Sequence, residues 1–455
     1  MRRSRIRNAA VHLKVVVSPK NLPIKRERTT VCLIRVHFNV RLGALETSLF
    51  RIRSEVARPF GVVWLSHLLV EIYLLMHPAL VPVFRSEFGL SIFEAGLLVS
   101  VPSICRLVIV IPTGIFADRF GSKPFVVLSM IISGLSAVLL SQSFTALALL
   151  VSLSLIMISV TLYHPPGLSI VSRLFPEQAE RSTAIGLHGA SGCIGQSLGT
   201  MSLGLLMPYI GWRNCYLLFS VPLIVWAFAV ARARVPQLSK HTTRQEDQTQ
   251  RRHKPNHQVG SAFSLGFFLL LSAMGLNALA NSGVSAFMTT YLMSSENLSV
   301  ELASIIFGAG PLIGIVGSLG AGYLSARLGD RNALALFFLG QVVFLIGLIG
   351  IPYLPLATVS FFMYELFLAA IWTPSTSLVA SLMGRTGGGT AYSLFYFAGD
   401  ALGAVSPLIA AALITSTNIL APFMFAIALL TASALLTLLI GTKRKLVGTS
   451  PELAN

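Results

Sequence analysis

Gly114-Ile115-Phe116-Ala117-Asp118-Arg119-Phe120-Gly121-Ser122-Lys123 closes one long apolar run of the chain, and Gly322-Tyr323-Leu324-Ser325-Ala326-Arg327-Leu328-Gly329-Asp330-Arg331 closes another. The first glycine, the arginine, the second glycine and the final base coincide, all at an offset of 208 residues. Each block follows the second apolar run of its half. The sequence is therefore a six-run unit used twice, and parallel repeats of this kind are one of the plans on which membrane transporters are built.

Around the two blocks, apolar runs of about twenty residues, the length that crosses a hydrocarbon core, alternate with short polar breaks. They predict helices at roughly 60–83, 93–116, 124–141, 145–168, 182–206 and 214–231, then 262–292, 302–326, 333–353, 356–379, 389–413 and 420–440. The fold class is an all-α polytopic membrane protein of about 12 transmembrane helices in two six-helix halves. The divisions are a basic extension over 1–58, a first bundle over 59–231, a linker over 232–260, a second bundle over 261–441 and a tail over 442–455. Of 455 residues, 54% are hydrophobic and 11% charged, with a mean hydropathy of +0.76. That charge is too sparse to cover the surface of a water-soluble chain.

The net charge of +17 could point to nucleic acid, but its placement points to a membrane. With the N-terminus inside, the inner segments hold 31 of the 34 Lys and Arg. The outer breaks hold Arg85 and Arg213, and Arg106 falls within a helix. This is the positive-inside distribution. It implies an even number of spans, both termini in the cytoplasm of a cytoplasmic (inner) membrane, and basic loops against an anionic leaflet. Residues 1–58 are Arg-rich and acid-poor. They read as a transit peptide, a cytoplasmic extension or sequence upstream of a later start.

The Gly114, Asp118, Arg119, Gly121, Lys123 block, with its copy at Gly322, Arg327, Gly329 and Arg331, resembles the gating motif of the major facilitator superfamily. Gly211-Trp212-Arg213 also recurs in that family. The resemblance covers about residues 60–440 and implies alternating access, one six-helix half rocking against the other around a central cavity. It implies a charge latch of Asp118 and Arg119 with neighbouring helix ends, and close backbone approach at Gly114 and Gly121. Ser122 stands where a base is frequent, and Ala326 replaces the acid of the second copy, so the second latch is expected to be the weaker. His67 and Glu71, the Tyr163-His164-Pro165-Pro166-Gly167 stretch and Gly186-Leu187-His188-Gly189 resemble the fosmidomycin-resistance branch of bacterial drug efflux proteins. That branch often has Asn-Asp where this chain has Val70-Glu71.

Charge inside hydrocarbon is costly, which makes intramembrane ionisable groups functional candidates. Glu71, near mid-membrane, is the first choice for proton coupling or substrate binding. Arg106 is its expected partner, as a switch or as a static pair joining the first two helices. Asp400 follows, with helix packing as its alternative, and then Glu365, nearer the outside and facing an outer vestibule. His67, one helical turn before Glu71, and His188 are candidates for proton relay, or else hydrogen-bonded interior histidines. His164 reads as part of a proline kink or helix end. Gly189, Gly192, Gly195 and Gly199, and Gly308, Gly310, Gly314 and Gly317, fall on one face of their helices, and the family resemblance implies that these faces pack closely between the halves. Tyr73, Tyr291, Tyr364, Trp372 and Tyr396 are candidate cavity liners.

The run Gly384–Thr390 lacks the Lys-Ser/Thr step of a P-loop, and Gly308–Gly314 follows no strand. No Gly-x-Ser-x-Gly elbow and no metal-spaced histidine cluster is present. The reading is a non-enzymatic secondary transporter without metal or cofactor, acting as a monomer. Its partners are the lipid bilayer, protons and a small-molecule substrate, and no nucleic acid. Proton-coupled efflux of a drug or metabolite leads. Proton-coupled uptake of a small organic anion held by Arg106 is the alternative, and a non-transporting membrane sensor or scaffold the third.

Overall fold

The structure, a computed structural model, describes residues 54–233, 264–383 and 388–441. The basic extension up to residue 53, the linker from 234, residues 384–387 of the glycine run and the tail from 442 lie outside the described residues. The first crossing is broken into α1 (Ser54–Glu71), α2 (Met76–Ala79) and α3 (Val81–Phe88). Then come α4 (Ile92–Phe120), α5 (Ser122–Ser141), α6 (Ala146–Leu174) and α7 (Gln178–Arg232). The second half has α8 (Leu265–Ser295), α9 (Val300–Leu328), α10 (Asp330–Gly350), α11 (Leu354–Ala370), α12 (Trp372–Met383), α13 (Gly388–Ser416) and α14 (Ala421–Leu438).

Among the described residues, 11 helical stretches are long and apolar enough to span a membrane. One of them, Glu180–Arg232, has 53 residues, roughly 80 Å at 1.5 Å per residue and far more than one crossing. It bends at Gly211, whose φ of 73° is non-helical, so α7 is two antiparallel arms. Among the described residues the count is then twelve crossings in two six-helix halves.

The repeat reaches the backbone. Gly121 and Gly329, 208 residues apart, both sit at positive φ (92° and 78°) with extended ψ, a conformation open to glycine, and turn the chain from α4 into α5 and from α9 into α10. Gly89 and Asn297, at the same offset, are both left-handed (φ 62° and 53°). Ser91 and Ser299 follow and cap α4 and α9 through their side-chain oxygens. Ser91 also forms a capping box with Glu94.

The bases that end the two motif blocks are matched as well. Lys123 Nζ donates to the carbonyls of Ala231 (2.7 Å) and Ala233 (2.8 Å), at the end of α7. Arg331 donates to the carbonyl of Ile440 (3.2 Å), just past α14. Each base neutralises the carbonyl-rich terminus of its half's last helix, where cations are favoured. At the opposite end, called here the far end, Glu87 of α3 accepts from Trp212 Nε1 (2.8 Å) and pairs with Arg213 (2.5 Å). Arg213 also donates to the Ser143 carbonyl (2.8 Å), so the Gly-Trp-Arg bend is tied to the first crossing and to the α5–α6 turn.

The glycine faces divide differently from expectation. Gly192, Gly195 and Gly199 of α7 lie against His67, Leu68 and Ile72 of the first crossing, within the same half. The carbonyls of Leu68 and Ile72 occupy the space a Cβ on Gly195 or Gly199 would need. Contact with the other half begins where Thr200 and Met201 meet Gly308, and continues where Gly204 meets Glu301 and Ile305. Gly310, Gly314 and Gly317 pack on Glu365, Ala369 and Leu366 in α11, again within one half.

Inter-half packing concentrates at the far end. Val81, Ala95, Val99, Ala286, Phe287, Ala410 and Ala411 form one buried apolar cluster there. A Cβ on Gly96 would sit 2.7 Å from Ala411 Cβ. At the motif end, nothing among the described residues stands within 4 Å of the Cβ positions of Gly114, Gly186, Gly189, Gly320 and Gly322. Among the described residues, the halves meet at one end and leave these helix surfaces uncovered at the other.

Candidate functional site

A cavity of about 450 Å³ lies between the halves beneath the far-end cluster. Leu75, His77 and Pro78 of the broken first crossing, Val99, Ser103 and Arg106 of α4, and Met157 of α6 line it from the first half. Asn277, Asn281 and Ser285 of α8, Trp372 of α12, and Tyr396 and Asp400 of α13 line it from the second. The break in the first crossing is local: Leu74 N bonds to the Glu71 carbonyl and Met76 N to Tyr73, three residues back in each case, so the helix tightens into turns.

Arg106 is not the partner of Glu71. Its guanidinium donates to Asp400 Oδ1 at 3.2 Å and so joins α4 of one half to α13 of the other. The two side chains are 34% and 38% exposed, to the cavity they both line. Arg106 projects from α4 toward α13, whereas Glu71 ends α1 and faces α6 and α7. Asp400 is therefore an ion-pair member rather than a carboxylate bonded to a neighbouring hydroxyl. A pair this exposed contributes only about 1 kcal/mol or less.

Glu71 lies outside the cavity lining, almost fully buried, in a cluster built from three helices. Gln196 of α7 donates to Glu71 Oε2 at 2.7 Å. Glu71 Oε1 faces His164 Nε2 of α6 at 3.0 Å and His67 Nε2 at 3.7 Å. His67 Nδ1 donates to the His188 carbonyl (2.7 Å), and the His188 ring stacks on the His67 ring with centroids 4.1 Å apart. Tyr163 donates its hydroxyl proton to the Val63 carbonyl (2.7 Å), so the 3.0 Å contact with His188 Nε2 requires His188 to donate to Tyr163. His188 is thus a wall of the cluster with its proton directed away from Glu71.

His164, read from the sequence as part of a kink, is the nearest histidine to Glu71. The adjoining prolines drew that reading, yet α6 runs through Pro165 and Pro166 unbroken. Gln196 was missed, as were Asn277 and Asn281, although two amides four residues apart in an apolar helix are a visible signal. Asn281 donates to Asn277 Oδ1 (2.8 Å) and accepts from the Tyr364 hydroxyl. Of the expected aromatic liners, Trp372 and Tyr396 line the cavity, stacked 6.0 Å apart. Tyr73 instead donates to the Tyr216 carbonyl and Tyr291 to that of Leu348. Glu365 packs over Gly310 within its own half and is not among the cavity residues. Asp118 and Arg119 are exposed, with Arg119 over the Phe120 ring at 5.5 Å. Among the described residues neither makes an ion pair.

Two six-helix halves around a central cavity define the class of polytopic carrier proteins. The family model of the Major Facilitator Superfamily matches residues 63–407, and the chain belongs to that family of small-molecule transporters. It is 24% identical to the probable sulfoacetate transporter SauU of Cupriavidus necator, over 79% of this chain and 87% of that protein. It is 23% identical to the fosmidomycin resistance protein of Escherichia coli, over 62% and 69%. The match to the methyl viologen resistance protein SmvA of Salmonella typhimurium is 26% identical over 34% of this chain, and spans only 31% of that protein's length. Among solved structures, a bacterial homolog to the human lysosomal transporter Spinster, in an inward-facing and occupied conformation, superposes with a TM-score of 0.66. That structure is 16% identical and covers 86% of this chain and 97% of its own.

Proposed function

We propose that this transporter moves a small organic anion together with a proton, with Arg106 as the anion site and Asp400 as the proton acceptor. The observation that carries the reading is the Arg106–Asp400 pair, which bridges the halves within the cavity. An entering carboxylate, sulfonate or phosphonate exchanges for Asp400 on the guanidinium, a fork suited to oxyanions. The freed Asp400 carboxylate is then the group available to take up a proton, which removes an unpaired charge from the membrane interior. The ionisable groups lining the same cavity are Arg106 of α4, His77 of α2 and Tyr396 on its own helix. The proton and the anion thus occupy the site together and cross together. The relatives named as sulfoacetate, cis,cis-muconate and hexuronate transporters support a substrate of this class.

The positive-inside pattern supports a motif end on the cytoplasmic side of the membrane, with the far-end closure facing outward. Rocking of the halves then opens that closure and covers the motif end, where Asp118 and Arg119 engage neighbouring helix ends.

The stacked Trp372 and Tyr396 favour a second reading, extrusion of a flat drug-like solute in exchange for protons. The resistance proteins among the relatives support it. Proteoliposomes enclosing a pH-sensitive dye separate the two. External sulfonates or small carboxylates acidify the lumen if anion and proton enter together. External cationic drugs make it alkaline if drug and proton exchange. Absence of any response to anions, in protein shown to be folded, overturns the first reading.

A further inference from the structure

The Glu71 cluster presents a chemical imbalance that the transport reading leaves unused. His67 Nδ1 lies 2.7 Å from the His188 carbonyl and His164 Nδ1 lies 2.8 Å from the Val160 carbonyl. A carbonyl oxygen only accepts, so both rings carry their proton on Nδ1. In the neutral rings, Nε2 is then a bare lone pair, and both lone pairs face Glu71 Oε1. Three acceptors converge with no donor among them. One proton shared between His164 and Glu71 would satisfy the 3.0 Å contact but leave His67 Nε2, buried and without a hydrogen-bond partner, still facing a carboxylate. A metal ion satisfies all three.

We propose that His67, Glu71 and His164 form a binding site for a late first-row divalent metal ion of the zinc class. Their donor atoms all lie within 4.8 Å of one another. Tetrahedral zinc, with bonds of about 2.0–2.2 Å, needs its ligands roughly 3.4 Å apart. The separations of 3.0 and 3.7 Å at Glu71 Oε1 bracket that value. Imidazole and carboxylate suit such ions. The outer contacts are those metal sites require: each histidine is oriented by an Nδ1–H bond to a backbone carbonyl, and the second carboxylate oxygen accepts from Gln196 at 2.7 Å. Three protein ligands leave a fourth position open, and His164, with 39% of its side chain exposed, provides the approach. The ion joins α1, immediately before its break, to α6. This inference goes beyond the transport reading and does not depend on it.

The test uses full-length protein stripped of metal, titrated with Co(II) and, separately, with zinc. Stoichiometric binding with the intense visible bands of four-coordinate Co(II) is expected. His164→Ala, a change at a partly exposed position, should weaken binding by more than about 100-fold. Gln196→Ala, which removes only an outer partner, should weaken it roughly 10–100-fold. Zinc should raise the thermal transition of the wild type but not that of His164→Ala, a comparison that also shows the variant folded. Asp400→Asn should bind metal as the wild type does even when it no longer transports, which separates failure here from failure of the transport reading. No cobalt spectrum in folded wild type, as for a cluster that binds protons alone, or equal binding in His164→Ala, would overturn the proposal.

Discussion

Lys123 and Arg331 stand 208 residues apart and act alike, Lys123 holding the Ala231 and Ala233 carbonyls at the end of α7 and Arg331 the Ile440 carbonyl just past α14. The final base of the motif block is therefore a helix-end cation as well as a topological signal. Replacing Lys123 by Met should cost about 1 kcal/mol, and Lys123→Arg should recover most of it. Thermal unfolding of the purified variants in one detergent measures both.

The Arg106–Asp400 pair predicts an asymmetric pair of variants. Arg106→Gln should abolish saturable anion uptake, because the charge that holds the substrate is gone. Asp400→Asn should retain anion binding but lose the accompanying proton movement. Parallel binding and lumen-pH measurements separate them, and equal loss of binding in both would remove the assigned division of labour.

Helix α7 offers a direct contrast between glycines. A methyl at Gly195 runs into the Leu68 carbonyl, whereas one at Gly189 meets nothing within 4 Å among the described residues. Overpacking of this kind costs about 1–3 kcal/mol, more where backbone must move. Gly195→Ala should thus unfold earlier on heating, and Gly189→Ala should be neutral or gain up to about 1 kcal/mol. A matched melting series decides it.

The far-end closure depends on Gly96 fitting beneath Ala411 and Pro407. Gly96→Val should wedge α4 away from α13 and favour the form open at that end. A cysteine introduced at Ala286, buried in the closure, should then react with a small thiol reagent several-fold faster than in the parent. An unchanged rate would show that the closure tolerates the added bulk.

The frame was legible because hydropathy and repetition do not depend on how a helix is turned about its axis. The crossings, the offset of 208 and the depth of Glu71 all follow from counting along the chain. Pairing does depend on that rotation. Arg106 and Glu71 lie at similar depths on adjacent crossings, so depth suggested a pair, but the faces of α1 and α4 aim them at different neighbours. His164 was misread because Pro165 and Pro166 offered a sufficient local explanation, and local explanations are blind to what lies across a helix interface. The same blindness assigned the α7 glycines to the boundary between halves when most of them seat the first crossing.

The duplicated scaffold has a chemical imbalance that its geometry hides. Shifted by 208 residues, His67, Glu71, His164 and Arg106 become Gly275, Leu279, Trp372 and Gly314, and Asp400 falls back on Gly192. Turns, caps and helix-end cations survived duplication in both copies, while the ionisable groups did not. Inheritance here preserved the bearings twice and the reagents once. A hybrid assembled from two second halves would keep the hinges of this machine and lose His67, Glu71, His164 and Arg106, leaving two copies of Asp400 without that guanidinium to meet.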